Sequence, residues 1–325
     1  TMLVVGSMIG SGIFIVSADI ARQVGSAGWL TLIWVITGLV TVIAAVSYGE
    51  LSAMYPKAGG QYVYIQRAYG KMMSFLYGWT VFTVIQTGVI AAVAVAFAKY
   101  AGVFFPVLND VFLKTPIVNV SFGQLVAIGS IMVLTFLNSR GVQNGKILQL
   151  IFTAAKLFAL FALIVLGLAI GLKTDVFTQN FDHMWNAYKT VQLPSGALDT
   201  IPLTGFALMG ALGATIINSL FSSDAWNNVT FIAGEIKDPK KNIPNSLFFG
   251  TTIVTIIYIL ANLAYLALLP KGGDPMATDA IGQGIMFAAN DRVGAGAASV
   301  IFGGLGISMM AALIMISTFG CNNGL

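Results

Sequence analysis

Eight long apolar runs constrain this chain more than any other feature of its sequence. A helix of about 20 apolar residues crosses the roughly 30 Å hydrocarbon core of a bilayer. The runs are continuously apolar rather than alternating, which favours helices over a barrel. The sequence therefore predicts an all-α polytopic membrane protein. The predicted spans are 2–24, 27–54, 72–101, 119–138, 144–171, 205–233, 245–269 and 295–320.

Composition excludes several other classes of protein. Apolar residues make up 57% and charged residues 9% of the 325, which is incompatible with a water-soluble domain of this length. Cys321 is the single cysteine and His183 the single histidine, so an internal disulfide and a histidine-built metal site are both excluded. The net charge of +4 concerns membrane topology rather than nucleic acid. We therefore expect that the protein is not an enzyme and that it binds no cofactor, no metal and no nucleic acid.

Basic residues in the connections predict the orientation. Three short loops, after the second, fourth and sixth spans, are rich in lysine and arginine, and such loops stay in the cytoplasm. The chain start is therefore expected on the cytoplasmic side. A long outer connection, 173–204, divides the chain into residues 1–172, with five spans, and residues 205–325, with three. The basic residues are Lys57, Arg67, Lys71, Arg140, Lys146, Lys237, Lys240 and Lys241.

Two spans are interrupted in their middles by small or polar residues. One interruption is Gly10-Ser11-Gly12, and the other is the segment from Ser222 to Ala225. Paired interruptions in two halves of a chain are typical of a transporter binding site, because unwound backbone at mid-membrane needs a polar cavity. Helix packing is the competing interpretation of the glycines, and we assign Gly6 to packing. Bulk at Gly10 or Gly12 is predicted to disrupt the site.

A lysine and an aspartate lie deep in predicted spans, where charge is costly. Lys156 is placed too deep to snorkel to the membrane surface, so its ammonium is expected on carbonyls released by the first interruption. Asp224 has three possible roles: contact with a substrate ammonium, neutralisation of Lys156, or proton transfer. Phe221 and Trp226 flank it, and for Trp226 packing is favoured. Residues 56–70 are predicted to form an interfacial helix.

Five segments together resemble the amino acid/polyamine/organocation superfamily and, within it, the L-type amino acid transporters. They are GSMIGSGIF (6–14), YGELSAMYPKAGGQYVY (48–64), FTAAK (152–156), FSSDAWNNVTFIAGEIKDPKKNIP (221–244) and STFGCNNGL (317–325). The resemblance implies a LeuT-like inverted-repeat fold with twelve transmembrane helices, of which this chain holds eight. Residues 1–172 then form the first repeat, and residues 205–325 begin the second.

The resemblance also implies a substrate site and its members. The carboxylate of an amino acid would meet backbone amides at Gly10, Ser11 and Gly12. Lys156 would stand where sodium sits in sodium-driven relatives, and Phe221 would be the gate. The amino group would meet carbonyls matching Met8, Phe221, Ser222 and Asp224, with Asn227 as a further polar contact.

Departures from the family pattern bear on partners and substrates. Animal L-type members carry a loop cysteine that bonds a glycoprotein, whereas residues 102–118 contain none. We therefore expect no disulfide-linked heavy chain, and a bacterial protein of the inner (plasma) membrane. Asp224 replaces a glycine found in several large-neutral transporters. This replacement gives modest support to cationic amino acids as substrates.

The predicted function is sodium-independent exchange of amino acids by alternating access, with neutral substrates favoured and cationic ones open. A proton-coupled amino acid or polyamine permease is the main alternative. A non-transporting scaffold is disfavoured, because a scaffold gains nothing from two broken helices and an intramembrane lysine.

Overall fold

The structure, a computed structural model, describes residues 1–114, 119–140, 142–192 and 197–325. Seven of its helices are long and apolar enough to cross a membrane, and a pair bent by 45° makes an eighth span, as predicted. The helices are α1 (Met2–Met8), α2 (Gly12–Val24), α3 (Ala27–Met54), α4 (Gln61–Thr80), α5 (Gln86–Ala101), α6 (Phe122–Ser139), α7 (Val142–Gly171), α8 (Val176–Phe181), α9 (Gly205–Ser222), α10 (Pro239–Leu268), α11 (Ala280–Gln283), α12 (Val293–Phe302) and α13 (Leu305–Gly324).

Two small antiparallel hairpins lie in connections between spans. One pairs β1 (Val111–Lys114) with β2 (Asn119–Ser121), and the other pairs β3 (Tyr188–Gln192) with β4 (Leu198–Pro202). The described spans themselves are helical. Residues 115–118 of the loop 102–118, residues 193–196 of the connection 173–204, and the side chain of Lys146 lie outside the described residues.

The third span starts after a sharp backbone turn at Gly70. This residue has a φ of 85° inside α4, a conformation that residues with a Cβ rarely adopt. It separates a short helix starting at Gln61 from the apolar part of the span, where the interfacial helix was predicted to end. The span then runs through a π-helical turn, Val81–Ile85, into α5.

The eighth span differs from its predicted boundaries of 295–320. Gly303 has a φ of 62°, so the helical run stops there and a new helix begins at Leu305. Helix α12 is therefore a separate short helix, and α13 is the spanning one. Continuous hydrophobicity hid the break, because a pair of glycines within an apolar run does not by itself show whether the helix ends.

Helix α1 lies in the middle of the packed helices, against α7, α10 and α13. Val4, Val5 and Met8 are almost fully buried in this core. Gly6 faces α7, where a Cβ would overlap the side chains of Gln149 and Thr153. The prediction that Gly6 is a packing residue is confirmed.

Buried polar pairs attach α2 and α9, which each form one half of a broken helix, to continuous helices. The Ser17 hydroxyl in α2 donates to Asn262 Oδ1 of α10 at 2.5 Å. The hydroxyls of Thr37 in α3 and Ser219 in α9 lie 2.7 Å apart. In a membrane interior such groups need partners within the protein, and these pairs supply them.

The C-terminal end of α10 is capped by a side chain from α8. Asn180 is 3% exposed, and its amide nitrogen donates to the carbonyls of Leu266 and Leu269 at 2.7 and 2.8 Å. Its oxygen accepts from the Lys271 backbone amide at 2.6 Å. The cap satisfies carbonyls that a helix end leaves free. Nearby, 78% of the His183 side chain is exposed to solvent.

Polar contacts also join α2 to its neighbours on the side of the molecule where α8 lies. The Arg22 guanidinium donates to Asp291 Oδ1 at 2.7 Å and to the Met286 carbonyl at 2.8 Å. The Asn218 side-chain amide of α9 donates to Asp19 Oδ2 at 2.9 Å. Helices α2 and α9 are therefore connected to each other, and α2 is connected to the loop before α12.

Candidate functional site

The first break leaves backbone amides without acceptors. Helix α1 ends at Met8, Ile9 is extended with a ψ of 92°, and α2 begins at Gly12. Within the described part of the chain, the amides of Ser11, Gly12 and Ile13 donate to no protein oxygen; the next bond is from Phe14 to the Ser11 carbonyl, at 3.0 Å. Free amides and the positive end of a helix together favour a bound anion.

The carbonyl side of the same break holds the Lys156 ammonium. Its Nζ donates to the carbonyls of Gly6 at 2.7 Å, Ile9 at 2.8 Å and Ser317 at 3.1 Å. The side chain is 1% exposed. The Ser317 hydroxyl donates to the Ile9 and Gly10 carbonyls at 2.9 and 3.2 Å, which adds α13 to this junction. The predicted contact between Lys156 and the released carbonyls is confirmed.

Direct neutralisation of Lys156 by Asp224 is wrong. Among the described residues, no carboxylate oxygen lies within 4.0 Å of the ammonium. The charge is solvated by three carbonyl dipoles instead, which is the arrangement expected for a cation at a helix break. Asp224 is exposed and is therefore free for the two other predicted roles.

The second break follows the end of α9 at Ser222. Ala225 has a φ of 67°, a left-handed conformation, and a 3-10 segment then runs from Trp226 to Thr230. The backbone turns sharply there, because a left-handed residue cannot continue a right-handed helix. The interruption predicted from the run of small and polar residues is present. Asn227, past the break, is half-buried, and its carbonyl accepts from the Thr230 hydroxyl at 2.7 Å.

One tyrosine connects the two breaks. The Tyr258 hydroxyl in α10 contacts the Met8 carbonyl at 3.0 Å and the Ser222 carbonyl at 3.1 Å. Its ring is 2% exposed and packs edge-on against Trp34, with centroids 5.4 Å apart. Sequence reasoning missed this residue. The available signal was a tyrosine in the middle of an apolar run, where a buried hydroxyl must find a partner.

Glycine at position 12 lets the two breaks approach each other. A Cβ there would lie 2.6 Å from Ser222 Cβ and 3.0 Å from Ser222 Cα, so even alanine requires a shift of backbone. Gly10 is different. A Cβ there would meet only the Cys321 side chain, with the sulfur 3.5 Å away, which is ordinary contact. At Gly12, the prediction that added bulk is harmful therefore has a steric basis within the described residues. At Gly10, a methyl group fits, and only a larger side chain would collide with Cys321.

Phe221 and Asp224 line an open pocket of about 300 Å³ between α3 and the second break. Phe221 is 58% exposed and, in this arrangement, does not cover the first break. Trp226 packs on Tyr48 with ring centroids 5.0 Å apart, in agreement with the packing role favoured for it, although it also borders the pocket. Met8, the three residues of the first break and Asn227 do not line this pocket. The remaining lining residues are Val40, Thr41, Ala44, Leu220 and Ser223.

No metal centre competes with this interpretation. In the described ranges, no group of three or more His, Cys, Asp or Glu side chains is arranged to hold a metal ion. The chemistry available is that of backbone dipoles, one fixed ammonium and one accessible carboxylate.

Known proteins place the chain in a family. The sequence profile described as amino acid permease matches residues 1–325. The human large neutral amino acids transporter small subunit 2 is 29% identical over 99% of this chain and 53% of its own length. The human b(0,+)-type amino acid transporter 1 is 30% identical over 82% of this chain and 50% of its own, and the mouse Asc-type amino acid transporter 1 is 29% identical over 81% and 45%.

The chain spans about half the length of the curated relatives it matches. The helical architecture with a broken first span agrees with the LeuT-like fold that the resemblance implied. The chain belongs to the amino acid permease family of the amino acid/polyamine/organocation superfamily, a family of transporters rather than of enzymes.

Proposed function

We propose that this chain carries the substrate site of a sodium-independent amino acid exchanger that works by alternating access. The observation that carries the proposal is the Lys156 ammonium on the carbonyls of Gly6, Ile9 and Ser317. An ammonium at this junction supplies the charge that a sodium ion supplies in sodium-driven relatives. The protein then needs no sodium to keep the break in shape.

In this proposal the amino acid bridges the two breaks. Its carboxylate accepts hydrogen bonds from amides of the first break, at Gly10, Ser11 and Gly12. The unpaired amides of Ser11 and Gly12 support this, whereas the Gly10 amide donates to the Met8 carbonyl at 3.0 Å in the present arrangement and would have to exchange that partner for the substrate. Its ammonium lies against carbonyls from both breaks, those of Met8, Phe221, Ser222 and Asp224. Tyr258 supports this arrangement by holding two of those carbonyls, and Asn227 is a further polar contact.

Phe221 is proposed to close the outer path over a bound substrate. Its ring is exposed in the present arrangement, at the end of α9 and beside the open pocket. Binding of substrate at the breaks would give this ring an apolar partner. Closing and opening of the path would then depend on an occupied site, which is what obligatory exchange requires.

Neutral amino acids are the favoured substrates, with cationic ones possible. The matched relatives include a large neutral amino acids transporter, a b(0,+)-type and an Asc-type amino acid transporter. Asp224 is exposed beside the pocket and has no cationic partner within 4.0 Å among the described residues, so it is available to a cationic side chain. A proton-coupled amino acid or polyamine permease is the second candidate, and the same accessible carboxylate favours it.

The topology and setting of the protein are part of the proposal. Residues 1–172 would be the first inverted repeat, 173–204 an extracellular connection and 205–325 the beginning of the second repeat. The chain start would lie in the cytoplasm of a bacterium, with the protein in the inner (plasma) membrane. No disulfide-linked heavy chain is proposed, since the single cysteine, Cys321, is buried.

Uptake by the purified complete protein in liposomes tests this proposal. A panel of labelled amino acids is presented with and without unlabelled amino acid inside, with and without sodium, and with and without a pH gradient. We expect uptake only into preloaded vesicles and no effect of sodium. Equal uptake into empty vesicles under a pH gradient would favour the proton-coupled permease instead.

A further inference from the structure

A polar stripe on α7 extends beyond Lys156 and is unused by the proposed transport site. Gln149, Thr153 and Lys156 occupy one face of the helix and are 4%, 0% and 1% exposed. The ammonium of Lys156 is fully partnered, but the other two side chains have no role so far. Polar groups inside a membrane protein are costly unless they are hydrogen-bonded.

Three buried polar atoms of this region are unsatisfied, which means that they have no hydrogen-bond partner among the described residues. These atoms are Gln149 Nε2, Thr153 Oγ1 and Ser7 Oγ. They converge on the junction of α1, α7 and α13. A Cβ on Gly6 would meet both the Gln149 nitrogen and the Thr153 hydroxyl, and a Cβ on Gly324 would meet the Ser7 hydroxyl and the same nitrogen.

A chain of carboxamides leads from this junction to the surface. Asn323 donates from its side chain to Gln149 Oε1 at 3.0 Å. Asn138, which is exposed, donates to Asn323 Oδ1 at 3.1 Å. The side chains therefore form a continuous polar line from Asn138 on the surface to the unsatisfied atoms beside Lys156.

We propose that the unsatisfied atoms of Ser7, Gln149 and Thr153 bind water, which exchanges with bulk solvent along Asn323 and Asn138. Water can accept from the amide and both donate to and accept from the two hydroxyls. A cation does not fit, because the Gln149 amide hydrogens and the Lys156 ammonium would repel it. An anion does not fit either, since the three ammonium hydrogens are taken by carbonyl oxygens that surround the junction.

X-ray hydroxyl-radical labelling of the complete protein in nanodiscs, read by mass spectrometry, tests for this water. Cys321 is the reporter, because its thiol donates to the Ser7 carbonyl at 2.9 Å while being 5% exposed. Met310, in the same helix and 4% exposed, is the reference for a buried sulfur that contacts none of the three unsatisfied atoms. We expect Cys321 to be oxidised although it is buried, and Thr153→Val to reduce its labelling several-fold relative to Met310.

Thr215→Val is the matched control, because the Thr215 hydroxyl is also buried but donates within its own helix to Ala211 and Leu212. It should leave Cys321 labelling unchanged. If the Thr153 hydroxyl has no hydrogen-bond partner at all, Thr153→Val removes a buried unsatisfied group and should raise the Tm. If water binds this hydroxyl, no rise is expected. Cys321 labelling as slow as that of Met310 in the wild type would overturn the proposal, as would a raised Tm in Thr153→Val.

Discussion

Lys156 has both a structural and an electrostatic part in this molecule. Its ammonium donates to the buried carbonyls of Gly6, Ile9 and Ser317 and so joins α1, the first break and α13. It also places a fixed positive charge at the break where a substrate is proposed to bind. A substitution here therefore affects stability as well as transport.

Lys156→Met is expected to abolish exchange and to lower the free energy of unfolding by about 2 kcal/mol, because buried carbonyls lose their charged donor. Exchange in liposomes and thermal unfolding check the two effects. Lys99→Met, at an exposed position of α5, is the control and should change neither. Wild-type exchange by Lys156→Met would contradict the role given to the ammonium.

Tyr258→Phe isolates the contact that joins the breaks. The ring and its packing on Trp34 remain, but the carbonyls of Met8 and Ser222 lose their shared donor. We expect a loss of about 1 kcal/mol in unfolding free energy and slower exchange. Tyr265→Phe is the matched control on α10, since the Tyr265 hydroxyl is buried without a partner among the described residues. If both variants exchange equally well, the bridge does not support function.

Gly12→Ala and Gly10→Ala should have different effects. Alanine at position 12 collides with Ser222 of the second break, whereas alanine at position 10 makes only ordinary contact with Cys321. We expect weakened substrate binding in Gly12→Ala and near-normal binding in Gly10→Ala, measured by substrate-induced shifts in Tm. Equal substrate binding by the two variants would contradict this expectation, because it would show that binding does not depend on the close approach of Gly12 to Ser222.

At the scale of elements, buried polar contacts hold the connection 173–204 to the end of α10. Asn180 in the short helix α8 caps α10, the continuous helix that carries Tyr258. The connection 173–204 therefore contributes to the position of the site from a distance, through the end of α10.

Asn180→Ala should lower the unfolding free energy by about 1–3 kcal/mol, because two carbonyls and one amide lose a buried partner. Thermal unfolding followed by circular dichroism measures the change. Asn186→Ala, at an exposed position of the same connection, is the control and should be neutral. A neutral Asn180→Ala would mean that other groups or water cap α10.

Sequence predicted the elements better than their ends. The eight spans and the two breaks follow from hydrophobic length and from clusters of small and polar residues, which act locally. The end of α12 at Gly303 was missed, because an apolar run containing glycines is compatible with one helix or two. Tyr258 and Ser317 were missed for another reason: their partners lie on helices far away in sequence, and only the packed structure brings them together.

The same distinction applies to the site itself. Lys156 could be matched to the first break because a buried charge demands a partner and the break offers carbonyls. The position of Asp224 could not be derived, since sequence fixes its depth in a span but not the direction in which it faces. In the structure it is exposed beside a pocket, with Phe221 and Trp226.

At the scale of the whole molecule, the two broken helices meet at one junction. Helix α7 supplies an ammonium to this junction, α10 a bridging hydroxyl and α13 a serine hydroxyl. A hydrogen bond between Asn218 and Asp19 joins α9 to α2. This convergence of separate chain segments on unwound backbone is what a transporter needs and what a packing scaffold does not.

The central claim is that one amino acid spans both breaks, with its carboxylate on amides and its ammonium on carbonyls. Counterflow by the complete protein in liposomes, using a transported amino acid and two analogues, tests this most directly. One analogue lacks the carboxylate and the other lacks the amino group. We predict that neither analogue, loaded inside, drives uptake of labelled amino acid. Uptake driven equally well by the amine lacking a carboxylate would contradict the account.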